Sequence, residues 1–235
     1  ELGAKNNPLA LGNPELSPET IDTIELAFDY RPSSALRFLA NLYHYQAEDM
    51  ISLVPDPNAP GEVRNQNILN QDGTGIELEA HWQINDKFTL NANISHQQSQ
   101  DSDSGFDKAL VPSTLAYIDL RYRFNNDLTA TMQTYWVSDI KREYCDIGEA
   151  AFNAAGLDCE NTKPREPISD YSTSDINVIY DFADQWQARL NVKNLFDQDY
   201  ELPTPSSGLF LLGFGYPNDI PMHGRAINFS LRYKL

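Results

Sequence analysis

Residues 76–95 run Ile-Glu-Leu-Glu-Ala-His-Trp-Gln-Ile-Asn-Asp-Lys-Phe-Thr-Leu-Asn-Ala-Asn-Ile-Ser. Ile76, Leu78, Ala80, Trp82 and Ile84 alternate with Glu77, Glu79, His81 and Gln83. After Asn85-Asp86-Lys87, Phe88, Leu90, Ala92 and Ile94 alternate with Thr89, Asn91, Asn93 and Ser95. Successive side chains of an extended chain point to opposite faces. The stretch therefore predicts two strands joined by a tight turn, with one apolar and one polar face. Asn and Asp suit the turn because their side chains bond to their own backbone.

The pattern continues in both directions. Upstream, Ile24, Leu26, Phe28 and Tyr30 share a face, as do Leu36, Phe38, Ala40 and Leu42 after the break Arg31-Pro32-Ser33-Ser34. Downstream come Ala116 to Phe124, Leu128 to Trp136, Ile176 to Phe182 (with Ile179 out of phase), Trp186 to Val192 and Ile227 to Leu235. Short turns at Asn125-Asn126-Asp127 and Asp184-Gln185 alternate with long connections. These run from Val54 to about Asn67, about Gln97 to Pro112, about Asp139 to Asp170, and past Lys193 to about Gly224. The result is nine period-two segments in an antiparallel meander.

A soluble sheet also alternates, but its strands are typically about 5–6 residues. Here the segments run to about 9–13, close to the 9–11 that cross a bilayer at a tilt. Short turns on one side and long loops on the other are the arrangement of an outer-membrane barrel. Tyr30, Trp82, Phe88, Phe124, Phe182, Trp186 and Tyr233 gather at the short-turn ends; Tyr45, Tyr135, Trp136 and Tyr200 lie nearer the long loops. Two aromatic belts are what the two membrane–water interfaces select. The expected fold is all-β, a transmembrane up-and-down meander. Mean hydropathy is only −0.49, as expected when polar and apolar residues alternate, and no apolar run reaches the ~18 residues of a membrane helix.

The 34 acids against 17 Lys and Arg give a formal charge of −17, which argues against nucleic acid as a partner. Many acids fall in the long connections. Cys145 and Cys159 share one polar loop with no His at ligand spacing. That placement fits a disulfide made in an oxidising compartment better than a metal site, which would need further ligands. His44, His81, His96 and His223 lie in different segments, without metal-ligand spacing. Gly213-Phe214-Gly215 lacks the strand-to-helix setting of a phosphate loop, and no hydrolase elbow or zinc-helix motif occurs. No cofactor, resident metal or enzymatic activity is expected.

Val192-Lys193-Asn194-Leu195-Phe196-Asp197-Gln198-Asp199-Tyr200 resembles the NLFD-x-x-Y segment near the end of TonB-dependent outer-membrane receptors. Pro221-Met222-His223-Gly224-Arg225 is similar to the family's P-x-P-G-R lead into the final strand, with His223 in place of the usual Pro. The last strand, Ala226 to Leu235, resembles the family's LSLRYxF end, with Leu235 in place of an aromatic. Asn13-Pro14-Glu15-Leu16-Ser17-Pro18-Glu19 resembles the family's NPxLxPE lead into a strand. These anchors bracket the chain.

The resemblance implies a plugged barrel of about 22 strands, of which residues 1–235 would be the C-terminal part, with plug and preceding strands elsewhere. It implies energy-coupled import of a metal chelate, iron-siderophore being the commonest class. It also implies, as partners, outer-membrane lipid and lipopolysaccharide, the barrel-assembly machinery, and the TonB energy-coupling complex through the plug. Phe229, Leu231, Tyr233 and Leu235 resemble the signal read by the assembly machinery. Tyr45, Tyr135, Lys141, Arg142 and Tyr144 are candidate rim residues for an anionic chelate. A small or passive barrel and a soluble β-sheet binding module are the rival readings.

Overall fold

The computed structural model describes residues 10–55, 63–102, 111–141, 166–183, 185–203 and 219–233. Cys145, Cys159, Arg142, Tyr144, Gly213-Phe214-Gly215 and Leu235 lie outside them. The strands are β1 (Ala10–Leu11), β2 (Thr20–Ser33), β3 (Leu36–Pro55), β4 (Val63–Gln83), β5 (Phe88–Asp101), β6 (Thr114–Arg123), β7 (Leu128–Val137), β8 (Tyr171–Phe182), β9 (Trp186–Lys193), β10 (Glu201–Leu202), β11 (Ile220–Pro221) and β12 (Ala226–Tyr233).

Ten of them form one sheet: nine run in the order β12-β9-β8-β7-β6-β5-β4-β3-β2 with every neighbouring pair antiparallel, and β1 pairs parallel with the start of β4. Each strand of the meander pairs with its neighbour in sequence, as the predicted segments required. Two short turns are built identically. Asn85 Oδ1 accepts the backbone N–H of Lys87 at 2.9 Å and of Phe88 at 3.0 Å. Asn125 Oδ1 accepts those of Asp127 at 2.9 Å and Leu128 at 2.8 Å. A side-chain carbonyl satisfies amides that a tight reversal leaves without a ladder partner.

The strands outrun the sequence pattern at the long-loop end. The connection expected from Val54 to about Asn67 is strand on both sides, with Ile51 opposite Asn67, Val54 opposite Arg64 and Pro55 opposite Val63. β5 likewise continues to Asp101. Once a hairpin stands clear of lipid, its ladder no longer needs an apolar face, so alternation fades before pairing does. β3 has 20 residues and β4 has 21, about twice what a bilayer crossing takes. The Asn13–Glu19 segment is tied to this extension: Asn13 Nδ2 donates to Asn65 O at 2.8 Å, and Asn67 Nδ2 donates to Ser17 O at 3.0 Å and Asp49 O at 2.6 Å.

The sheet is inside-out relative to a soluble protein. On the apolar face Ile24 is 77% exposed, Ile118 44% and Phe229 69%, whereas Asp119 on the polar face is 7% exposed. Below the band the aromatics meet in two groups along the short-turn edge. Phe88 meets Tyr122 at 6.1 Å and Tyr122 meets Phe124 at 4.7 Å between ring centroids. Phe182 meets Trp186 at 6.4 Å and Trp186 meets Tyr233 at 4.9 Å. The second belt differs from its expectation. Of Tyr45, Tyr135, Trp136 and Tyr200, only Trp136 is on the apolar face, in register with Ala116. Tyr45 and Tyr135 sit on the opposite parity, opposite Gly73 and Tyr117. Distance from a turn sets an aromatic's height on the wall, but odd or even position sets its face.

Candidate ligand-facing wall

The polar face is ordered by cross-strand register. Arg37, His81, Asn91, Asp119, Gln133 and Asp175 are successive partners on β3 through β8. The four central side chains connect. His81 Nδ1 lies 2.9 Å from Asn91 Oδ1, Asn91 Nδ2 donates to Asp119 Oδ1 at 3.2 Å, and Gln133 Nε2 donates to Asp119 Oδ2 at 3.1 Å. His81 Nε2 also meets Glu79. Asp119 can be this buried because two amides from the flanking strands satisfy its oxygens.

Toward the long-loop end the wall changes character. Tyr43 stacks on Tyr45 at 6.4 Å, Tyr117 lies against Tyr135 at 4.6 Å, and Tyr171 stacks on Tyr200 at 4.4 Å. Gly73 and Gly75 make room for the first pair: a Cβ at Gly73 would lie 2.4 Å from Tyr45 Cε1, and one at Gly75 2.3 Å from Tyr43 Cζ. The Tyr45 ring thus crosses β4 flat, and its hydroxyl reaches Ser99 Oγ on β5 at 2.8 Å. Sequence reasoning missed this. The signal was present: tyrosines two apart on β3 face glycines two apart on β4.

The connection after β9 folds back as a knot. Asn194 is 5% exposed and has φ 47°, while Asp197 has φ 56°, a region in which Asn and Asp are the best tolerated residues after glycine. Asn194 Nδ2 donates to Gln198 O at 2.9 Å and His223 O at 3.4 Å, and its Oδ1 accepts Gln198 N–H at 2.9 Å. Arg225 N–H donates to Asp197 Oδ1 at 2.6 Å. The two segments singled out by resemblance, Asn194–Asp197 and His223–Arg225, are therefore one structural unit. Leu195 N–H donates to Ser174 O at 2.6 Å, so the knot continues the ladder where β9, with only 8 residues, stops.

Among the rim candidates, Tyr45 and Tyr135 are both on this wall but in different tyrosine pairs. Lys141 borders a cavity of about 300 Å³ with His96, Ser99, Val111 and Asp139. On β12, Phe229, Leu231 and Tyr233 share the outer apolar face at 69%, 53% and 44% exposure.

The profile of the TonB-dependent receptor-like β-barrel family matches residues 3–195. The chain belongs to that family. As a TonB-dependent receptor barrel, it is a protein of the Gram-negative outer membrane. It is 27% identical over 170 residues to heme/hemopexin utilization protein C of Haemophilus influenzae (strain 86-028NP), covering 58% of this chain and 24% of that protein. It is 28% identical over 206 residues to the vitamin B12 transporter BtuB of Vibrio vulnificus (strain YJ016), covering 87% of this chain and 29% of that one. The fold matches the siderophore receptor PirA from Acinetobacter baumannii with a TM-score of 0.69 at 22% identity, over 95% of this chain and 33% of that one. It matches the pyoverdine receptor FpvA from Pseudomonas aeruginosa PAO1 at 0.70 and 18% identity, over 94% and 30%. The TonB-dependent receptor chain thus spans about a quarter to a third of the proteins it resembles.

Proposed function

We propose that this chain is the C-terminal wall and outer-loop portion of an energy-coupled receptor that imports a metal chelate, with iron-siderophore complexes the first class to test. The observation that carries the reading is the inverted sheet, apolar and aromatic outside and hydrogen-bonded inside, in a chain of the TonB-dependent receptor family. The names of its relatives and structural neighbours (heme, vitamin B12, siderophore, copper) are those of metals or metal complexes. Among the described residues β2 and β12 each have one hydrogen-bonded neighbour. An open edge in lipid leaves backbone groups unsatisfied at several kcal/mol each. We assign the missing neighbours, and a plug seated against the polar face, to the rest of a longer protein. In this reading Tyr45, Tyr135 and Lys141, together with Arg142 and Tyr144, border the ligand's path. Cys145 and Cys159 close a loop disulfide. Phe229, Leu231, Tyr233 and Leu235 present the assembly signal.

The test is uptake in cells carrying or lacking the full-length gene. The gene should confer accumulation of at least one iron chelate, and dissipating the proton gradient should abolish that accumulation. Accumulation that persists without the gradient would favour a passive barrel.

A further inference from the structure

The three tyrosine pairs narrow the ligand's chemistry, an inference that rests on the import reading above. Tyr43, Tyr45, Tyr117, Tyr135 and Tyr171 all stand on the polar-face parity, and Tyr200 stacks on Tyr171. The first two pairs lie at comparable distances from the short turns, and Tyr171, the first residue of β8 and in register with Val137, lies further toward the long loops. Tyr43 is about seven residues past the start of β3, Tyr135 about seven past the start of β7, and Tyr117 about six before the end of β6. Two hydroxyls are already engaged by the wall. Tyr45 bonds Ser99 and accepts from Gln71 Nε2, and Tyr117 accepts from Gln133 Nε2 at 2.9 Å. These two rings therefore offer chiefly their faces to whatever passes.

The charges around them are mostly negative. Glu77 and Glu79 lie on β4 between the first two pairs, and Asp119 and Asp175 lie one polar-face position nearer the turns or the neighbouring strand. Tyr171 and Tyr200 line a cavity of about 540 Å³ together with Asp170, Asp199 and Glu201, and among the described residues no Lys or Arg lines it. Of the polar-face cations, Arg37, Arg121, Arg123, Arg189 and Arg232 are nearer the short turns, toward the other end of the wall. Lys141 and Lys193 border the tyrosine zone. Ring faces attract flat unsaturated surfaces and cations through their quadrupole, and a wall in which acids outnumber bases repels anions.

We propose that the tyrosine pairs form a receiving belt for a metal chelate with flat unsaturated faces and neutral or positive charge, and that the belt selects against polyanionic chelates. This charge preference is opposite to that of the anionic chelate for which Lys141 and its neighbours are rim candidates.

The experiment compares two metalloporphyrins of the same flatness and opposite charge, one carrying N-methylpyridinium groups and the other sulfonates. Binding is measured by titration calorimetry on the full-length receptor in detergent at physiological salt. The cationic probe is expected to bind at least tenfold more tightly, and Tyr45→Leu with Tyr135→Leu to reduce that advantage by about tenfold. Retained heat-modifiable mobility on gels shows that the variant is folded. Equal or tighter binding of the sulfonated probe, or an unchanged preference in a folded variant, overturns the belt. If energised cells carrying the gene accumulate a trianionic ferric catecholate in preference to a cationic ferric hydroxamate, the belt falls while import stands. If the purified receptor prefers the cationic porphyrin but cells accumulate no chelate, import falls and the belt stands.

Discussion

Asp197 and Arg225 are 28 residues apart and meet twice: the Asp197 carboxylate accepts the Arg225 backbone N–H at 2.6 Å and lies 3.6 Å from its guanidinium. The first contact matters more. Both side chains are about half exposed, and an exposed ion pair contributes at most about 1 kcal/mol. The amide bond fixes where the last strand begins. Gly224 belongs to the same arrangement, because a Cβ there would stand 2.9 Å from Asp197 Oδ1.

Asp197→Ala should therefore destabilise the receptor by about 1–3 kcal/mol, and Asp197→Asn, which keeps an acceptor, by clearly less. Asn194 should be more sensitive still, since it is buried, takes part in three side-chain hydrogen bonds and holds φ at 47°. Asn194→Gly loses the hydrogen bonds alone, whereas Asn194→Ala adds backbone strain. Thermal unfolding of the full-length receptor in detergent should rank them wild type, Asn194→Gly, Asn194→Ala. An Ala variant as stable as the Gly variant would show that the left-handed backbone is not needed.

At Gly73 the expected failure is steric. The new methyl of Gly73→Ala overlaps Tyr45, so the ring must swing away and lose Ser99. Combining it with Tyr45→Ala should restore much of the loss, giving a coupling of about 0.5–3 kcal/mol in a double-mutant cycle. Strict additivity of the two losses would mean that the ring does not rest on the glycine.

Ile118 and Asn93 test which face meets lipid. Ile118 is 44% exposed in the middle of β6, and Ile118→Arg should cost about 2–4 kcal/mol in a bilayer. Asn93, on the polar face in register with Glu79 and Tyr117, should tolerate Arg within about 1 kcal/mol. Equilibrium unfolding in lipid vesicles reads both. The reverse ranking would place the lipid on the other face.

The three tryptophans test depth. Trp82 and Trp186 stand near short turns and Trp136 near a long loop, all on the apolar face. In variants of the receptor that each keep one of these as the sole tryptophan, brominated lipids should quench Trp82 and Trp186 from the inner leaflet of an asymmetric vesicle and Trp136 from the outer. Quenching of all three from one leaflet would contradict a spanning sheet.

Much of this was present in the sequence. Strand pairing needed only alternation and turn chemistry: Asn85 and Asn125 form the reversals their residue types suggest, and the two lower aromatic groups, Phe88 with Tyr122 and Phe124, and Phe182 with Trp186 and Tyr233, follow from side-chain parity. Parity also explains Ile179. It remains on the polar face, opposite Arg189 and Thr129, because a single apolar residue does not shift a register held by its whole strand. The extensions of β3, β4 and β5 were not legible, because backbone pairing above the lipid leaves no hydrophobic pattern.

The sequence by itself determined the meander, its two faces and the end that carries the long loops, since those depend on neighbours along the chain. Only the tertiary structure decided which residues act together. Tyr45 with Gly73 and Ser99, Asp119 with Asn91 and Gln133, and Asp197 with Arg225 are set by cross-strand register and by a loop that returns on itself. Those are relations between residues distant in sequence, and local periodicity carries no information about them.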